Sequence, residues 1–425
     1  MKRNVVKFST DWISDGQNAS ADERATLCDL RIMLADQNMS EFHDLDAKEY
    51  NESVVVPAVH LAEGIATNWW KIFGARDVEH RALPWRKGFV LPDLRFEFDG
   101  STFAVTCVPS ATEHPTRLFW QEGQEFMTRQ IAESVLSRFV ERVVDKLHNE
   151  EIDDSQVELA WSRVRESSED QAERDFCEAA GALGVDPYSI TDADANFIEQ
   201  TGRLFEDEAL IEFLAGIGQM SAESSARAAL VEWIESLQPR DRSCLPELAD
   251  VAGQVRNGRA PGRSFPWVRG RRTARAFREA IGMDDGAAVS IKAVAEKLGG
   301  TRFARKGGPR GVFAVVAREG DDVHVHLRGR GRAKWASSAE TFAFARAIGD
   351  AVCFPATPRS VINDLHRAER QAVGRAFAAE FVAPVRTVLN MWHDGRDVEE
   401  IAGSLGVSPM VVNHQIEDSR KYQFS

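Results

Sequence analysis

The sequence predicts a multidomain α+β protein: an N-terminal mixed α/β unit, an acidic helical middle, and a mainly helical C-terminal domain with a small β-hairpin sheet. Three observations carry this. Strand-like alternation around Asp99-Gly100 marks a hairpin early in the chain. Apolar residues then recur at the three-to-four spacing of helices. The charge also changes sign: residues 1–250 hold 24 Lys+Arg against 48 Asp+Glu, a net of −24, and residues 251–425 hold 28 against 18, a net of +10. At 425 residues, 43% hydrophobic and 28% charged, the composition is that of an ordinary globular protein. Its length suggests about three domains, placed at 1–150, 151–254 and 255–425.

In the first segment, Val54 to Gly74 reads as a short strand entering a helix that carries Trp69 and Trp70. The hairpin spans Leu94 to Cys107, and a helix is expected from Glu125 to His148, with Ile131, Val135, Phe139, Val143 and Leu147 on one stripe. The fragment LPDLRFEFDG invites comparison with the Pro-Asp of a restriction-type nuclease core. The following strand lacks the required acid-x-lysine, which favours a plain hairpin.

The middle segment is acidic, with 7 basic against 24 acidic side chains in 151–250. Helices are expected at Ser155–Glu169, Asp170–Leu183, Asp192–Leu204, Asp207–Gln219 and Ala222–Ser236. Asp192 and Ser221 sit at N-cap positions, and Gly184 at a stop. Such an array is either a solvated face or a docking surface that imitates DNA.

Between Val255 and Arg278 lie eight arginines, among them Arg256, Arg259, Arg263, Arg269, Arg271, Arg272 and Arg275, interleaved with Phe265 and Trp267. Arginine with aromatics is the composition that tracks phosphates and stacks bases. The alternative is a connector whose arginines pair with the acidic half. Further on, Gly311–Leu327 reads as a two-strand hairpin. His324 and His326 lie two apart on it, hence on one face. Two histidines make half a zinc site, so an exposed strand face is expected.

Two helices follow, TFAFARAIGDAVCFP from Thr341 and ERQAVGRAFAAEFVAP up to Pro384, with Phe342, Ala345 and Ile348, then Ala372, Ala376, Phe377 and Phe381, on their apolar faces. This layout resembles the ImmA/IrrE family of zinc peptidases, in which T-L-A-H-E-L-G-H is followed by E-A-N-x-F-A-A-E-L-L-M-P. The resemblance covers about residues 260–418 and implies a zincin-like C-terminal domain. VSIKAVAEKLGG (Val289–Gly300) and the 311–327 hairpin fall in the family's order of elements. The metal chemistry does not survive. Arg346 replaces the first histidine, Ala347 the glutamate, Asp350 the second histidine, and Val373 fills the third-ligand slot. Arginine offers only donors, and alanine cannot take a proton from a metal-bound water. Arg346 and Asp350 are one turn apart, so an ion pair between them is expected where the metal would sit. A shifted site built from Asp350, His366 and Glu369 is the remaining route to metal catalysis.

The tail, Asp397–Asp418, resembles a helix-turn-helix whose second helix offers Asn413, His414 and Gln415 to base edges, although no Arg or Lys precedes Arg420 there. It also reads as the closing helix pair of the domain. The five cysteines are odd in number, far apart and never CxxC, which points to reduced thiols in the cytoplasm. Neither a membrane-spanning run nor a secretory leader is evident. The reading is therefore a cytoplasmic, non-catalytic regulator or sensor without cofactor that binds a protein partner. The family implies a bacterial stress-response, mobile-element or phage-defence setting. A nucleic-acid-binding regulator and a rebuilt metal-dependent peptidase are the alternatives.

Overall fold

A computed structural model describes residues 6–13, 20–74, 80–111, 116–220, 224–257, 265–284, 286, 288–300, 304–309, 311–329, 336–363 and 368–422. The fold is α+β and multidomain. Its contacts group the chain into two units, Met1–Ala195 and Asn196–Ser425. The boundary falls inside the acidic middle. Among the described residues, no helix is long and apolar enough to cross a membrane. All five cysteines are free thiols.

The first unit is built on antiparallel strands. Leu27–Leu34 pairs along one edge with Val6–Trp12, and along the other with Gln37–Asn38 and Val54–Pro57. Thr102–Val108 lies between Asp93–Phe98 and Gly123–Thr128. The expected hairpin forms, with Gly100 at φ +94° and the Asp99 carboxylate accepting from the amides of Ser101 and Thr102. Asp93, the acid of the nuclease-like fragment, is buried and held by Arg81 at 2.5 Å and Arg95 at 2.8 Å, a structural role.

The helix expected from Glu125 begins only at Arg129, because residues 125–128 complete a strand. Thr128 ends that strand, and its hydroxyl accepts from the Ile131 amide. The buried stripe is Ala132, Leu136, Phe139, Val143 and Leu147, while Ile131 is exposed. Both stripes share their last three residues, so spacing alone did not separate them. The strand entering a helix at Val54 is also present, as Val54–Pro57 followed by Ala58–Thr67 and Trp69–Ile72. Trp69 packs edge-on against Trp161, with ring centroids 5.0 Å apart. A Cβ on Gly181 would lie 2.2 Å from the Trp70 carbonyl oxygen, so only glycine lets those two backbones meet.

Helix boundaries in the middle segment follow local chemistry. Ser155 and Asp170 cap Gln156–Glu169 and Gln171–Leu183, and Gly184 ends the latter in the left-handed region at φ +88°. Asp192 lies inside its helix; the capping hydroxyl is that of Thr191, which accepts from the Asp194 amide at 3.2 Å. Ser221 lies outside the described residues.

In the second unit, Asp322–Gly329 pairs with Val312–Glu319 on one side, and with Ser243–Leu245 and the parallel Arg305–Gly307 on the other. Arg359–Asn363 extends the sheet beyond Val312–Glu319. Ala314, Val316, Val323, Val325 and Leu327 join a core with Phe344 and Ile348 of Ala336–Cys353. Phe377 and Phe381 of Glu369–Val382 stack at 5.7 Å, and Phe277 of Pro266–Ala280 tilts against both. These contacts depend on Gly349 and Gly270, whose added Cβ atoms would lie 2.7 Å from the Phe377 ring and 2.5 Å from the Val373 carbonyl oxygen. In Glu369–Val382 the buried side is Val373, Phe377 and Phe381, whereas Ala372 and Ala376 stay partly exposed.

Candidate functional site

The helices 336–353 and 369–382 bring Arg346 and Asp350 into one buried region, but not onto each other. Both side chains are almost fully buried. Asp350 accepts from Ser360 Oγ at 2.6 Å, from Arg370 Nη2 at 2.9 Å, and from Arg370 Nε. The expected Arg346–Asp350 ion pair is therefore corrected: a nearer guanidinium from the facing helix takes the carboxylate. Arg346 instead donates to the Asn363 carbonyl at 2.8 Å and to Gln371 Oε1, and its guanidinium lies 5.5 Å from the Phe313 ring centroid.

Gln371 and Glu212 complete the region. Gln371 Oε1 also accepts from the Asn363 amide at 3.1 Å, and its Nε2 donates to Glu212 Oε1 and to the Val361 carbonyl. Glu212 sits on the acidic helix Asp207–Met220, with its second oxygen 3.8 Å from Arg370 Nε. Burial pushes the Glu212 carboxyl up to about 7; Asp350 adds to the rise, against Arg370 and Gln371. Burial works against the charge of Arg370, but Asp350 and Glu212 outweigh it and hold the guanidinium charged. Two cations thus face two acids, and every acid has a donor.

Ala347 and Val373, the other two positions compared with the zinc motif, are packed in the hydrophobic core. Of the shifted site, two residues can be followed. Asp350 is engaged as above, Glu369 pairs with Arg269 at 3.3 Å, and His366 lies outside the described residues. Chemically, this arrangement fixes three helices and a strand to each other through charge-assisted bonds.

No family model, curated protein or solved structure matches the chain.

The residues expected to meet nucleic acid are largely used within the fold. Arg256 donates to the carbonyls of Ala351, Val352 and Phe354, and Arg269 to that of Cys353. Two arginines thereby satisfy the orphan carbonyls and negative dipole end of the 336–353 helix. Arg271 bonds Gln415 Oε1 at 3.1 Å and Asp418 at 2.7 Å. Arg275 reaches Glu380 at 2.7 Å. Arg272 is exposed, and Trp267 stacks on the exposed Phe265 at 4.4 Å. Arg259 and Arg263 lie outside the described residues.

In the tail, Asp397 and Glu400 form a capping box for Val398–Leu405, and Gly406 ends that helix. Pro409–Tyr422 follows, with Asn413 and His414 exposed. Gln415, expected at base edges, is turned inward, donating to the Ala383 carbonyl at 2.7 Å. Asn413, His414 and Glu417 face solvent, whereas Gln415 packs inward with Val412 and Ile416, so its side of the helix is spent on packing.

Sequence reasoning missed Glu212, Ser360, Asn363, Arg370 and Gln371. Arg370 and Gln371 carried a usable signal, as adjacent polar residues in the first turn of a helix whose inner face is apolar. Glu212 carried none, being 159 residues from its partner Gln371. The histidine pair needs correction as well: His324 and His326 are buried, not on an exposed strand face.

Proposed function

We propose that the chain is a non-catalytic regulator or sensor with an ImmA/IrrE-like C-terminal domain, acting by binding a protein partner in the cytoplasm. By that resemblance, the setting is a bacterial stress-response, mobile-element or phage-defence system. The observation that carries the reading is the fate of Arg346 and Asp350. Both polar side chains at metal-ligand positions are consumed by one buried network, and the other two positions are apolar core. A scaffold reorganised in this way keeps its helix frame and loses the acid–base and metal groups that hydrolysis needs.

The nucleic-acid reading is weaker, since Arg256, Arg269, Arg271 and Arg275 spend their donors on the fold itself. The test is cross-linking in source cells followed by purification with nuclease, beside an assay for zinc- or manganese-dependent cleavage of an unfolded protein. The expected result is a saturable protein partner retained after nuclease, and no cleavage. Recovery that vanishes with nuclease, or cleavage abolished by Asp350→Asn, would overturn the proposal.

A further inference from the structure

The strand Asp322–Gly329 alternates cleanly. Val323, Val325 and Leu327 enter the core, which sends Asp322, His324 and His326 to the opposite face of the sheet. On that face Cys244 of the short strand Ser243–Leu245 stands directly across from His324, and Glu319 of the neighbouring strand stands across from Asp322. One donor atom from each of Cys244, Asp322 and His324 lies within 4.8 Å of the other two.

A second observation points to a ligand. His324 is 3% exposed, yet neither of its ring nitrogens has a hydrogen-bond partner. Its nearest acidic oxygen, Glu319 Oε2, is 3.6 Å from Nε2, while the other oxygen of Glu319 is held by Arg242. A buried polar group left without a partner costs about 1–3 kcal/mol, so this imidazole is placed for an electron-pair acceptor rather than for packing.

We infer that Cys244, Asp322 and His324 form a binding site for a zinc-class divalent cation, with Glu319 as the fourth donor. A thiolate, an imidazole and a carboxylate together select a borderline-soft ion over magnesium or calcium. Metal–ligand bonds of about 2.0–2.3 Å set tetrahedral donors about 3.3–3.8 Å apart. Binding forms the metal–sulfur bond and releases the thiol proton to solvent, since burial and Asp322 hold the free thiol protonated.

The consequence is mechanical. The cation pins the three-residue strand 243–245 to the hairpin. It does so beside a cavity of about 310 Å³ that Glu319 shares with Arg242, Arg359, His326 and Leu237. This site is separate from the Asp350 network and independent of the proposed function.

Cobalt(II) is the probe. Titrated into the metal-free full-length chain, it is expected to give one equivalent of binding with a thiolate-to-cobalt charge-transfer band. Zinc should displace that band and raise the melting temperature. Cys244→Ser should abolish the band and His324→Gln the thermal shift, while Cys353→Ala keeps both. Circular dichroism on each metal-free variant separates loss of binding from loss of fold. A folded wild-type chain without the band, or a band that survives Cys244→Ser, would overturn the inference.

Discussion

Arg370 pairs with Asp350 from the facing helix and also lies near Glu212. Both groups are buried, so removing one leaves the other as an uncompensated charge. Arg370→Met should destabilise the chain by about 3–5 kcal/mol. Arg370→Met with Asp350→Leu should recover part of that loss, a coupling that denaturant melts of the cycle would read. Glu212 gives a pH signature. Its folded-state value of about 7 lies above the ordinary carboxyl value of 4.5. The folded chain therefore holds this proton more tightly than the unfolded chain. The stability it contributes is complete below the unfolded value and is lost as pH rises through about 7. Glu212→Gln should narrow the stability gap between about pH 5 and pH 8 by about 1–2 kcal/mol, measured by urea unfolding at both. No narrowing would mean that the carboxyl is already ionised across that range.

At the level of elements, the crossings of the helices 266–280, 336–353 and 369–382 are set by backbone approach at Gly270 and Gly349. Gly349→Ala drives a Cβ into the Phe377 ring and should cost about 1–3 kcal/mol. Asp397→Ala, which removes one half of a capping box, should cost about 1 kcal/mol. Thermal melts distinguish the two sizes. Helices with such caps were also the most legible part of the sequence. Ser155, Asp170 and Gly184 announce their boundaries through the nearest few residues, and the structure places those helices within a residue or two of expectation. The strands Ser243–Leu245 and Arg305–Gly307 were not legible, because three residues carry no period. The histidine pair was half legible. Spacing put His324 and His326 on one face, but their burial is not a local property of the strand: His326 lines a cavity with Leu237 and Ile234, far away in sequence. The network failed to appear for the same reason: its charged groups come from three helices and its further polar partners from a strand, and only the Arg346–Asp350 spacing is local.

At the scale of the whole molecule, the charge reads differently once the units are known. Residues 1–195 hold 20 Lys+Arg against 37 Asp+Glu, a net of −17, whereas residues 196–425 hold 32 against 29, a net of +3. The basic half suggested by a cut at residue 250 is thus a nearly neutral folded unit that contains its own acidic helices. Binding to duplex DNA should be weak, with little dependence on salt, because few phosphate-neutralising cations are left over. A steep salt slope in a filter-binding or anisotropy series would contradict that. On the proposed reading, Arg346 and Asp350, at positions where the resembled family holds its metal, belong to a closed structural network. Metal analysis of chelator-free preparations tests it most directly, comparing the wild type with Asp350→Asn, Glu369→Gln and Cys244→Ser. The account predicts that any stoichiometric metal survives in folded Asp350→Asn and Glu369→Gln, and disappears only in Cys244→Ser. A metal lost from the folded Asp350 and Glu369 variants, with Cys244→Ser unaffected, would put a rebuilt hydrolytic centre back between the two helices.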